Sequence, residues 1–264
     1  MPAAEQRRLA AQFQAEQNRI SAILTRDVVT LLTALLALAD PDGSWPALKI
    51  ALKALIRDRR SLSAQSAGPY YRRLRAEAGI PGEVALAPPR ELTEERLDKA
   101  LDSAGLYVYR QSLRLGAHPE QARDRAGITL SGTASRLALE GGRDVIEATI
   151  KADDEAIGWA RISDGDPCAW CAMLISRGVT YRSAVTAGDV RYGGERYHDH
   201  DGCQAVPIFD PNSPLLDQAD ELYQQWRKVT AGHSGAEARR VWRRYWEHRD
   251  DEASDEGSEG GSQR

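Results

Sequence analysis

The sequence predicts a mainly α-helical protein that contains one small mixed α+β unit. Apolar residues recur at helical spacing over residues 4–39, namely at Leu9, Phe13, Ile20, Leu24, Val28, Leu31 and Leu35. Polar and charged residues fill the positions between them, as in an amphipathic helix. After Gly158 the pattern changes to short runs rich in β-branched and aromatic residues, which favour strands. We therefore expect helices before and after a compact unit with short strands.

Residues 1–80 are predicted to form a helical N-terminal region. Asp40 to Gly43 ends the first helix, because proline lacks a donor and glycine is conformationally free. A second helix is expected from Pro46 and a short third helix over residues 70–78. Residues 81–92 have the composition of a linker, with Pro81, Gly82, Pro88 and Pro89.

Residues 93–214 are predicted to form the central domain. Thr93 is a suitable N-cap for a helix over residues 94–115, and Pro119 can begin the next helix. Further helices are expected over residues 130–139, 144–157 and 168–176, with a break at Gly141-Gly142. Short strands are expected over residues 159–163, 179–181 and 203–209.

Residues 215–249 are predicted to be a C-terminal helical region interrupted near Gly232 and Gly235. It carries both aromatic and basic residues: Trp226, Trp242, Tyr245 and Trp246, with Arg239, Arg240, Arg243 and Arg244. We expect the aromatic face to pack and the arginine face to contact water, with docking on an acidic or nucleic-acid surface as the alternative. Residues 250–264 are acidic and rich in Gly and Ser, and are predicted to be a disordered tail.

The composition indicates a soluble globular protein. Hydrophobic residues make up 42% and charged residues 28% of 264 residues, and the net charge of −4 disfavours a dedicated nucleic-acid binder. Three cysteines favour metal-bound thiolates in a reducing compartment over a disulfide scaffold. The longest apolar stretch, residues 28–39, is too short to span a membrane, and no signal peptide is visible. We expect assembly in a cytoplasm and no membrane partner.

The segment over residues 163–209 has the ligand spacing of a metal site. Cys168 and Cys171 form a C-x-x-C pair, and His200 and Cys203 repeat that spacing further along the chain. These four residues are the predicted ligands of one zinc ion. His198 is either a replacement for His200 or a hydrogen-bonding residue behind the ligands. Four protein ligands leave no position for water, so the predicted zinc is structural and the α+β unit is zinc-stapled.

Two catalytic interpretations compete with a structural zinc site. His118-Pro119-Glu120, followed later by Pro167 and the C-x-x-C pair, matches the pattern of zinc nucleobase deaminases. That interpretation leaves His200 and Cys203 without a role. Ser163 and His198, with nearby aspartates, supply residue types for a hydrolytic triad, although no nucleophile elbow is present.

Two stretches resemble the MuF-like minor head proteins of tailed bacteriophages, in the form found in phages of actinobacteria. They are Trp159-Ala-Arg-Ile-Ser-Asp-Gly-Asp-Pro-Cys-Ala-Trp-Cys-Ala-Met-Leu and Tyr197-His-Asp-His-Asp-Gly-Cys-Gln-Ala-Val-Pro-Ile-Phe. Cys168 and Cys171 match the first metal pair of that family, and His200 and Cys203 match the second. Many members carry a further cysteine two positions before the last one, where this chain has Asp201. The resemblance is specific over about residues 155–210.

The resemblance implies a structural minor capsid or head-morphogenesis protein. Such a protein would lie in the virion head near the portal, after assembly in the host cytoplasm. Its partners would be the portal or major capsid protein, with phage DNA as a further candidate. Some relatives are described as capsid maturation proteases, which makes that activity the leading alternative.

Overall fold

A computed structural model describes residues 3–163, 165–179, 197–199 and 202–258, with only the backbone over residues 250–258. The helices are α1 (Ala3–Leu35), α2 (Pro41–Glu77), α3 (Glu94–Asp102), α4 (Val108–Arg114), α5 (Pro119–Ala152), α6 (Ala169–Ile175), α7 (Asp217–Val229) and α8 (Gly235–Ser258). A π-helical turn (Ser103–Tyr107) joins α3 to α4, and a 3-10 turn (Pro214–Leu216) precedes α7. The two strands are β1 (Gly158–Ile162) and β2 (Gln204–Ile208). The prediction of a mainly helical protein is confirmed.

Three long helices, α1, α2 and α5, pack side by side and form most of the core. Their facing positions are apolar and fully buried, for example Leu24 of α1, Leu52 of α2 and Leu137 of α5. Burial of these faces stabilises the bundle, at about 25 cal/mol per Å² of apolar surface removed from water. α1 ends at Leu35 and α2 begins at Pro41, and this short connection joins the two packed helices as an antiparallel hairpin.

Helix α2 is continuous where the sequence predicted two helices. It begins at Pro41 rather than Pro46, and the side chain of Asp40 caps it by accepting from the Gly43 amide. Pro69 lies inside the helix, and the buried face continues past it through Tyr70, Tyr71 and Leu74. The predicted separate helix over residues 70–78 is therefore the last part of α2, because core packing outweighs the lost hydrogen bond.

Helix α5 is also continuous, and the predicted break at Gly141-Gly142 is wrong. A Cβ atom at Gly141 would lie 2.3 Å from the carbonyl oxygen of Arg60, and one at Gly142 would lie 2.8 Å from that of Ser63. Both glycines allow the backbone of α2 to approach α5 closely. They serve a helix–helix contact and not a helix end.

The segment between α2 and α3 is neither helix nor strand, as expected for residues 81–92, but it packs on the helices. Leu86 contacts the hydrophobic core, and the amide of Ala87 donates to Thr149 Oγ1 of α5 at 3.0 Å. Leu9 of α1 and Trp159 of β1 share that core, although the sequence assigned them to different domains. The domain boundaries stay predictions.

Strands β1 and β2 pair in antiparallel register, with Gly158 opposite Ile208 and Ile162 opposite Gln204. The strands are almost entirely buried and pack on α5. Because Ile162 lies opposite Gln204, the chain that follows β1 emerges beside the chain that precedes β2. The sheet thus brings the C-x-x-C segment near residues 197–199, which contain His198 and which we term the histidine segment. The predicted strand over residues 179–181 and the residue His200 lie partly or wholly outside the described residues.

Helices α7 and α8 end the described chain, with a separation near Gly232 and Gly235 as predicted. Helix α8 runs to Ser258, so its end overlaps the predicted disordered tail, and residues 259–264 lie outside the described residues. Among the described helices, none is both long enough and apolar enough to cross a membrane.

Candidate metal centre

The two cysteines of the C-x-x-C pair face one point because they lie at the start of α6. Cys168 is the N-cap residue, and its Sγ accepts a hydrogen bond from the Cys171 amide at 3.4 Å. Cys171 lies in the first turn and is buried. This local geometry places both sulfur atoms on one side of the short helix, as the spacing predicted.

His198 completes a group of three ligand-type side chains. Its Nε2 atom lies 3.2 Å from Cys168 Sγ and 3.3 Å from Cys171 Sγ. Its Nδ1 atom lies 2.6 Å from the carbonyl oxygen of Asp199 and can only donate to it. In the neutral ring Nε2 then carries the lone pair, which is the tautomer that binds a metal through Nε2; in the protonated ring Nε2 donates to the cysteine sulfur atoms.

The arrangement fits a tetrahedral zinc ion. Two ligands at about 2.0–2.3 Å from a tetrahedral centre lie roughly 3.5 Å apart. The sulfur–nitrogen distances in this group are close to that value, and all three ligand atoms lie within 4.8 Å of one another. Cys168, Cys171 and His198 could hold a zinc ion after small adjustments of their side chains.

Of the second predicted ligand pair, His200 and Cys203, the structure describes only Cys203. Cys203 is buried, and it lines the same crevice of about 370 Å³ as Cys168, Cys171 and His198. Within the described chain it is not one of the three convergent residues. His200 lies outside the described residues. The roles of His200 and Cys203 as ligands stay predictions.

The thiol of Cys168 is strongly acidified. Its hydrogen bond with the Cys171 side chain, followed by those with His198 and the Cys171 amide, lowers the pKa of Cys168 to about 4 against the opposing effect of burial. The thiolate is the form that binds metal ions. Cys168 is therefore in the ligand form at neutral pH.

The histidine segment is anchored on α5 through Asp199. Its carboxylate accepts from Thr133 Oγ1 at 2.7 Å and from Arg136 Nε at 2.8 Å. The sequence offered no signal for these contacts, because Thr133 and Arg136 lie more than sixty positions away in an ordinary helical pattern. The anchor fixes the residue that follows His198.

The C-x-x-C segment is held from the other side by α8. Trp242 Nε1 donates to the carbonyl oxygen of Ala169 at 2.7 Å, and Trp246 Nε1 donates to that of Pro167 at 2.8 Å. Both indoles are buried in the cluster that also contains Cys171 and Cys203. The predicted packing of the tryptophan face of this helix is confirmed.

The deaminase pattern is not assembled in space. His118 is the N-cap residue of α5 and is exposed, whereas the crevice at Cys168 reaches α5 at Ser135. At a rise of about 1.5 Å per residue, the intervening turns separate His118 from that crevice by roughly 25 Å. His118 therefore cannot share a metal ion with Cys168 and Cys171, as the deaminase interpretation requires.

The residues of the hydrolytic alternative are also dispersed. The Ser163 amide donates to Gln218 Oε1, and the Ser163 hydroxyl accepts from the Gly165 amide at 3.1 Å. Ser163 lines a crevice with residues of α1 and α7, and His198 lines a different one.

Comparisons with known proteins identify a phage protein family. The profile of the VG15 protein family matches residues 4–229. The chain therefore belongs to the VG15 protein family. Two relatives are the Gene 15 protein of Mycobacterium phage D29, 29% identical over 133 residues, and the Gene 15 protein of Mycobacterium phage L5, 33% identical over 103 residues.

The matched regions are partial. The match with the D29 protein covers 40% of this chain and 48% of that protein. The match with the L5 protein covers 26% of this chain and 35% of that protein. The chain thus spans less than half the length of these curated relatives. No solved structure matches the chain.

Proposed function

We propose that the chain is a structural protein of the phage head, of the minor capsid or head-morphogenesis kind, with a domain that a zinc ion staples. The convergence of Cys168, Cys171 and His198 in a member of a phage protein family is the observation that carries the proposal. The resemblance of residues 155–210 to MuF-like minor head proteins supports the head as its location.

The surroundings of the cysteines and His198 favour a structural role for the metal. The three candidate ligands come from two separate segments of the chain. Hydrogen bonds fix each of these segments to a different helix. A metal ion bound by Cys168, Cys171 and His198 would join the α6 segment to the histidine segment. Such a bond would add stability at the point where these two segments meet.

The ligand set proposed is Cys168 and Cys171 with His198 as the third ligand. The fourth ligand is Cys203 or His200. The position of His198 Nε2 beside the cysteine sulfur atoms, with Nδ1 turned to the Asp199 carbonyl oxygen, supports its assignment as a direct ligand. The zinc ion itself would supply four-coordinate bonding and no catalytic step.

Metal analysis of the purified protein tests the staple. We expect about one zinc per chain, and a large loss of zinc from the variants Cys168→Ser, Cys171→Ser and His198→Ala. His233→Ala is the matched control, because this histidine is far along the chain, between α7 and α8. A wild-type protein without bound zinc after purification and zinc loading would refute the staple.

Mass spectrometry of purified virions tests the location. We expect the protein in heads, and a phage lacking the gene should form defective particles. Cross-linking of those heads should join the chain to the portal or the major capsid protein. Virions free of the chain would refute a structural role. Loss of precursor cleavage in a phage that carries Ser163→Ala or His198→Ala, with the protein folded, would favour the protease alternative.

A further inference from the structure

We propose that α8 and the C-x-x-C segment form a binding surface for single-stranded nucleic acid. The surface consists of an exposed tryptophan, Trp170, and four exposed arginines of α8, which we term the arginine face: Arg239, Arg240, Arg243 and Arg244. It goes beyond a structural role in the head, and none of its five residues is a proposed metal ligand.

The arginine face is a single stripe of positive charge. Its members stand at positions i, i+1, i+4 and i+5 of one helix, so they project from neighbouring turns on the same side. Within the residues whose side chains the structure describes, none of the four forms an ion pair. By contrast, Lys49, Lys53 and Arg57 of α2 are all paired with carboxylates of α3. The arginine face is thus available for an anionic ligand.

Trp170 supplies a flat apolar surface beside these charges. It is 45% exposed, although it lies between the two cysteines, and Ala169 and Met173 lie next to it. Together with the arginine face it lines a crevice of about 450 Å³. Only one acidic residue, Glu247, is among the described residues that line this crevice.

The distance between the tryptophan and the arginines is fixed by buried contacts. Trp242 and Trp246 lie on the inner side of α8 and donate to the carbonyl oxygens of Ala169 and Pro167. The helix that carries the arginine face is thereby attached to the two residues that flank Cys168, close to Trp170. A ligand would meet a preformed surface and not a flexible one.

This combination favours single-stranded nucleic acid over other anions. Guanidinium groups bind phosphates, and an exposed indole stacks on a base that no partner strand covers. An acidic peptide would use the arginine face but would gain little from Trp170. In a duplex the bases are already stacked, so the indole would have no open ring face to meet.

Fluorescence anisotropy with the full-length protein and a labelled oligothymidylate of roughly 20 nucleotides tests the proposal. We expect binding at low salt that weakens steeply as salt rises, because phosphate contacts release counterions. Replacing the arginine face by glutamine should weaken binding at least tenfold and make it less dependent on salt. The matched control replaces four other exposed arginines, Arg72, Arg73, Arg114 and Arg125, and so changes the net charge equally. It should bind within about twofold of wild type.

The stacking part of the proposal has its own test. Trp170→Ala should weaken binding roughly five- to a hundredfold, whereas Trp170→Phe should retain most of it. The oligonucleotide should quench the fluorescence of Trp170. This quenching is measured as the loss of tryptophan fluorescence in wild type that is absent from Trp170→Phe. Circular dichroism confirms that each variant is folded.

Four results would overturn the proposal. The first three are no binding by wild type at low salt, equal weakening by the arginine-face variant and its control, and a polyglutamate peptide that binds more tightly than the oligonucleotide. Equal binding of duplex with no change of fluorescence would also reject it. These outcomes are separate from the zinc and virion measurements, so the two proposals can fail independently.

Discussion

The indole of Trp246 donates a 2.8 Å hydrogen bond to the carbonyl oxygen of Pro167, the residue before Cys168. A residue of the last described helix therefore fixes the backbone at the candidate metal centre. Arg249 supports the same contact, because its guanidinium lies over the Trp246 ring and donates to Asp166 at 2.6 Å. Stability of the metal centre and packing of α8 should consequently change together.

Trp246→Phe should destabilise the fold by about 1–3 kcal/mol, because the buried carbonyl of Pro167 loses its donor. Urea unfolding measures the change in the free energy of unfolding. Trp170→Phe is the control, since Trp170 is partly exposed and its replacement should change that free energy by less than about 0.5 kcal/mol. Equal effects of the two substitutions would contradict the role given to Trp246.

Gly141→Ala should destabilise the fold by about 1–3 kcal/mol, because its Cβ would overlap the backbone of α2 at Arg60. Gly127→Ala, in the same helix, would meet only a Leu32 methyl group at 3.3 Å and should be neutral or stabilising through helix propensity. Thermal unfolding of both variants checks the prediction. A more stable Gly141→Ala would show that α2 and α5 are not in close contact.

Asp144→Ala should cost about 1.5–3 kcal/mol, because the buried Arg60 guanidinium loses its nearest carboxylate and keeps only Glu140 at 3.7 Å. Asp144 of α5 pairs at 2.7 Å with Arg60 of α2 and with Arg90 of the segment before α3. Denaturant unfolding gives the value, and the exposed Asp154→Ala is the control. If both variants unfold like wild type, the buried charges must have found other partners.

Asp199→Ala should lower zinc affinity about 10- to 100-fold, although it replaces none of the three proposed ligands. The reason is that Thr133 and Arg136 would no longer hold the segment that carries His198. Competition with a zinc-binding dye measures the affinity. Asp154→Ala should bind zinc like wild type, and an unchanged affinity in Asp199→Ala would remove Asp199 from the site's support.

The sequence predicted where helices begin more accurately than where they continue. The cap at Thr93 and the start at Pro119 were located to the residue, because capping chemistry is local. The continuity of α5 was missed, because Gly141-Gly142 indicates a break only when no neighbouring backbone packs against it, and α2 continues through Pro69 for a similar reason. Whether a glycine ends a helix or admits a neighbouring backbone depends on residues far away in sequence.

By itself, the sequence determined the helical class of this protein and the pairing of Cys168 with Cys171, since helix periodicity and the C-x-x-C turn depend on residues a few positions apart. Only the tertiary structure decided which further groups meet them. It brought His198 to the two sulfur atoms, separated His118 from them, and set Trp170 beside the arginine face. Such meetings depend on the antiparallel register of β1 with β2 and on the packing of α8, which short-range spacing does not encode.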